Sequence, residues 1–83
     1  MLDEGLWAEV KIGNEHLRLF SEVNAQGVQC SVFNANAKTW IAPSELVSDL
    51  EEGKQRAENH ARLYLERFGF DLPPLQWKKA RSV

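Results

Sequence analysis

Residues 6–23 read LWAEVKIGNEHLRLFSEV, and the alternation within this stretch decides the fold. Leu6, Ala8, Val10 and Ile12 share one parity, and Leu17, Leu19 and Val23 share another beyond a short interruption. That two-residue period belongs to strands with one buried face. The interruption is Gly13-Asn14, a glycine-first pair suited to a two-residue hairpin turn. Such a turn sets Ile12 opposite Glu15. Val10 then faces Leu17 and Ala8 faces Leu19 on the core side, while Glu9 faces Arg18 and Trp7 faces Phe20 on the other. A single register thus yields apolar pairs, a charge pair and an aromatic pair, each contributing about 0.2–1 kcal/mol. Strands are therefore predicted over Leu6–Ile12 and His16–Val23.

The same reasoning extends in the C-terminal direction. Asn24-Ala25-Gln26-Gly27 reads as a turn and Val28–Asn34 as a third strand, with Val28 and Cys30 on the core face. If Val23 faces Val28, Phe33 falls beside Arg18 on the other face, whereas a bulge at Gly27 would shift this register by one residue. Asn34-Ala35-Asn36-Ala37-Lys38 is a polar loop, and Thr39–Ala42 is a candidate fourth strand ending near Pro43. A helix is predicted over about 48–68. Ser48 followed by Glu51 has the spacing of a capping box, with Asp49 and Glu52 adding charge at the positive end of the dipole. Ser44 is an alternative start. Leu50, Gly53, Ala57, Ala61, Tyr64, Leu65 and Phe68 fall on one helical stripe, and Glu52–Arg56 and Glu58–Arg62 are i,i+4 pairs on the wet side. Residues 70–83 contain Pro73-Pro74 and are expected to be extended. The predicted fold is α+β. One domain spans 1–83, with an antiparallel meander of three or four strands over about 6–42 and one amphipathic C-terminal helix packed on one face.

Eighty-three residues sit near the lower limit for a core without staples. Cys30 is the sole cysteine, which excludes an internal disulfide and suits a reducing compartment. Residues 1–5 are acidic and no long apolar run follows, so neither a signal peptide nor a membrane span is expected, and a cytoplasmic location is. The net charge of −2 is unevenly placed: Lys78, Lys79 and Arg81 end a chain whose first 72 residues are acidic. An acidic body argues against general nucleic-acid binding, where phosphate contacts supply most of the affinity.

Chemistry-bearing constellations are sparse. His16 and His60, with one cysteine and no convergent carboxylates, do not make a metal site or a general base. Gly53-Lys54 lacks the upstream glycine of a P-loop, and Cys30 has no basic neighbour in sequence to activate it. No catalytic, cofactor or metal residues are assigned, and the chain is not expected to be an enzyme. What stands out is the face opposite the core, where Trp7, Phe20 and Phe33 gather with Arg18. A sheet covered by a single helix leaves that face in water, and three aromatics there call for a cover. The tail (Leu72, Leu75, Trp77) or a second subunit would supply one.

Residues 48–61, SDLEEGKQRAENHA, resemble the capped helix of small bacterial and phage single-domain proteins with a βββα layout. In those a serine cap precedes a Glu-rich turn, with alanines at every fourth position. The resemblance spans about residues 28–68 and implies the same α+β arrangement. The stretch is also similar to the second helix of double-stranded-RNA-binding domains, which carries a lysine cluster at its start. Here that turn holds Asp49, Glu51 and Glu52, with Lys54 and Arg56 beyond it. The expected function is a protein-interaction module that uses the Trp7/Arg18/Phe20/Phe33 face to form a homodimer or to bind a protein partner, without a cofactor or a membrane. The alternative is a nucleic-acid-binding domain using that face and the basic tail.

Overall fold

A computed structural model describes residues 4–81; positions 1–3 and 82–83 of the single domain expected from the sequence lie outside the described residues. The strands are β1 (Glu4–Ile12), β2 (Glu15–Asn24), β3 (Gly27–Asn34), β4 (Thr39–Val47) and β5 (Lys78–Arg81), and the helix α1 spans Leu50–Glu66. All five strands form one sheet in the order β4-β3-β2-β1-β5, with every neighbouring pair antiparallel. The fold is α+β, a meander with one helix packed across it.

Register follows the side-chain pattern. Val10 pairs with Leu17, Ala8 with Leu19, Glu9 with Arg18 and Trp7 with Phe20. The second hairpin pairs Val23 with Val28, Leu19 with Val32 and Arg18 with Phe33. Gly13 holds φ +58 in the first turn, a left-handed conformation in which a side chain would be strained. Asn34 closes β3 with its Oδ1, which accepts from the backbone N–H groups of Asn36 and Ala37, both at 3.0 Å. Its Nδ2 donates to the Tyr64 hydroxyl, and that hydroxyl donates to Glu15 Oε1 at 2.7 Å. A buried polar residue is thereby satisfied and the loop is tied to the helix.

Three sequence expectations are corrected in detail. The fourth strand runs through Pro43 to Val47, so Ser44 is a strand residue and cannot start the helix. Register shifts on either side of Val32 absorb the extra residues of β4, and a proline is tolerated because β4 is an edge strand. The N-cap is Asp49 rather than Ser48: Asp49 Oδ1 accepts from Glu52 N–H at 2.8 Å. Glu52 Oε1 then reaches back to the Ser48 N–H at 2.6 Å and hydroxyl at 2.8 Å. The Glu52–Arg56 pair forms at 3.7 Å, but Glu58 accepts from the Trp77 indole at 2.8 Å, and Arg62 turns to Asn59.

The core lies between the sheet and α1. Ala8, Val10, Leu17, Leu19, Cys30, Val32 and Ala42 supply the sheet side and Ala57, Ala61 and Leu65 the helix side. Closest approach falls at Gly53, where a Cβ would overlap the Ser21 hydroxyl, itself donating to the Leu50 carbonyl at 2.8 Å. The helix lies over β2, β3 and β4 and barely touches β1. The strip it leaves open is filled by the tail. After Gly69, Phe70 seats its ring against Gly13, and Phe70, Leu72, Leu75 and Trp77 pack on the core before β5 joins the edge of β1.

A candidate interaction surface on the outer sheet face

The outer face is built by strand parity from β1 to β5. On the β1–β2 ribbon its cross-strand pairs are Lys11/His16, Glu9/Arg18, Trp7/Phe20 and Gly5/Glu22 in sequence along the strands. β3 adds Phe33, Ser31 and Gln29 beside Arg18, Phe20 and Glu22. β4 adds Trp40 next to Phe33 and Leu46 next to Gln29, and β5 adds Lys78 beside Trp7.

All four residues expected on this surface, Trp7, Arg18, Phe20 and Phe33, are brought onto it, and further side chains join them. Trp40 packs edge-on against Phe33 at 4.9 Å between centroids and against Phe20 at 6.4 Å, while remaining 56% exposed. Edge-to-face contacts of this kind suit the aromatic quadrupole. Ser31, opposite Phe20, is buried at the base of this cluster. Trp7 engages a different partner: the Lys78 ammonium stands 5.4 Å from its ring centroid. Leu46, 63% exposed, carries apolar surface to the far edge.

Charges near the centre are engaged within the chain. Glu9 accepts from His16 at 2.5 Å and from Arg18 at 3.4 Å. The His16 contact, more than any other, holds the Glu9 carboxyl below its ordinary range. Lys11 and Glu22, at opposite ends of the ribbon, are exposed and have no ion-pair partner among the described residues.

Trp40 was legible in principle. The residue numbers of Phe33 and Trp40 flank the 34–39 loop symmetrically, so an antiparallel return places them opposite one another. Lys78 was not legible, because pairing of β5 with β1 leaves no local trace. The apolar residues of the tail do not cover this face: Phe70, Leu72, Leu75 and Trp77 point to the helix side, and Lys78 alone among the described tail side chains is seen to reach over Trp7. Only its edge is approached, where Pro74 and Gln76 border a cleft of about 300 Å³ with Trp7, Ala8, Glu9 and Lys78.

Elsewhere, Glu45 receives Arg56 at 3.0 Å and His60 at 3.6 Å above the buried Cys30 thiol, 3.7 Å away. Burial first, and the Glu45 charge second, push that thiol up. Among the described residues no group of three histidine, cysteine or carboxylate side chains is placed to hold a metal ion, and no helix is long and apolar enough to cross a membrane. No family model, curated protein or solved structure matches the chain at a significant level.

Proposed function

We propose that this chain is a non-enzymatic interaction module whose outer sheet face docks a protein surface. The observation that carries the reading is Trp40, more than half exposed over Phe33 and Phe20 while the tail packs on the opposite side. A contiguous aromatic patch with no cover among the described residues is the pattern of a docking site. Aromatic residues concentrate interface energy, and polar residues toward the ends of the strands, such as Gln29, would form the rim. Two cations of this face are engaged within the chain, Arg18 with Glu9 and Lys78 with Trp7, which leaves Lys11 as its exposed cation without an ion pair among the described residues, few for a phosphate backbone.

Site-specific photocrosslinking in cells tests the reading. A benzophenone amino acid at position 40 is expected to give a protein adduct that disappears in a Phe20→Ser/Phe33→Ser background. The same group at Leu63, equally exposed on the helix, should give none. Nucleic-acid adducts at position 40, with salt-dependent binding of an oligonucleotide by the purified chain, would replace protein docking with the nucleic-acid alternative.

A further inference from the structure

We propose that the occupant of the outer face is a second copy of this chain, packed sheet to sheet about a two-fold axis that runs perpendicular to the strands. The proposal rests on the docking reading and names its partner. Edge-to-edge pairing is disfavoured on both sides of the sheet. The β4 edge is broken by Pro43 and two register shifts, and the β5 edge is four residues long. Association then falls to a face, and the outer sheet face gathers Trp40 and Leu46, two of the four large exposed apolar side chains among the described residues, the others being Leu63 on α1 and Phe68 just after it.

The charges of the β1–β2 ribbon are self-complementary in this arrangement. One end carries Lys11 and the other carries Glu22 beside Gly5, while His16, next to Lys11, is engaged by Glu9. A two-fold axis perpendicular to the strands lays the basic end of one copy over the acidic end of the other, twice per dimer. The same operation sets the Glu9/Arg18 row against the partner copy's Trp7/Phe20 row, the Arg18 guanidinium over the Phe20 ring and Glu9, still paired with Arg18, over Trp7. Burial orphans no charge at the centre, because Glu9 is held by His16 and Arg18 and Lys78 sits on Trp7. A partner of one charge sign would gain at one end of the ribbon and lose at the other. A second copy gains at both.

Five strands spaced about 4.8 Å apart give a footprint on the order of 600 Å² per copy, below the roughly 800 Å² of a standard interface. The dimer is therefore weak, in the micromolar range, and sheets so packed sit about 10 Å apart. Sedimentation equilibrium of the purified full chain should show a concentration-dependent monomer–dimer equilibrium. Lys11→Glu and Glu22→Lys should each weaken it on the order of tenfold, since each change turns two attractions into repulsions. The combined variant should return close to the wild-type constant. All three should remain folded as dilute monomers, both positions being exposed and without an ion-pair partner among the described residues. A chain that stays monomeric to about 1 mM, or a dimer indifferent to both reversals, overturns the proposal. If position 40 then crosslinks to a different protein, the second copy is refuted and docking survives. If it crosslinks to no protein, both fall.

Discussion

Gly53 is the residue on which sheet and helix converge. Alanine is the better helix former by about 1 kcal/mol, so propensity alone makes Gly53→Ala stabilising. The contact reverses the sign: the added methyl runs into Ser21, whose hydroxyl is fixed on the Leu50 carbonyl, with Val47 Cγ2 3.4 Å away. A net loss of about 1–3 kcal/mol is expected in denaturant unfolding. At the helix start, Asp49→Ala should cost about 0.5–2 kcal/mol and Ser48→Ala less, because Asp49 caps the first turn while Ser48 braces Glu52 from outside it. The one-residue displacement of the cap has a plain origin. Ser48 and Asp49 are both good caps, and both are followed three residues later by a glutamate. Spacing cannot choose between them. The choice belongs to where β4 ends, which depends on the irregular pairing around Pro43.

At the scale of elements, the hairpins were legible because a two-residue turn converts side-chain parity into register, and every pair from Val10/Leu17 to Arg18/Phe33 obeys it. The tail was not, because extended residues flanking two prolines read alike whichever side of the sheet they cover. Its placement follows from the offset of α1 toward β2–β4, a property of the packed layers. Trp77 shows what the tail contributes, its ring on the core, its indole N–H on Glu58 and the Lys54 ammonium 5.9 Å from its centroid. Trp77→Ala should cost about 3 kcal/mol in denaturant unfolding, and Trp77→Phe should recover much of it by restoring area without the hydrogen bond. Equal losses in the two variants would place the energy in the hydrogen bond rather than in coverage of the core.

For the molecule as a whole, acid is the informative perturbation. The folded chain holds Glu9 below the ordinary carboxylate range, first through His16. It holds Glu52 below that range too, first through the Ser48 backbone and then the Ser48 hydroxyl. An unfolded chain releases both. Their contributions are complete above the ordinary carboxylate range and fade as pH falls through it toward the lower folded values. The melting temperature should therefore drop between about pH 5 and pH 3, with a shallower limb in Glu9→Gln/Glu52→Gln. Phe20→Ser/Phe33→Ser, by contrast, should leave the chain folded, since neither ring belongs to the buried core, with a loss of about 1–2 kcal/mol from the Trp40 contacts.

The pairing of β5 with β1 has a consequence for how the chain is made. The first strand synthesised receives its edge partner from the last segment described, and the strip of core beside Val10 stays uncovered until residues 70–81 have left the ribosome. Hairpins and helix can form during translation, but the finished core cannot. A nascent chain stalled near Gly69 would display fresh apolar surface along an open strand edge, the form of the molecule most exposed to chaperones and to aggregation.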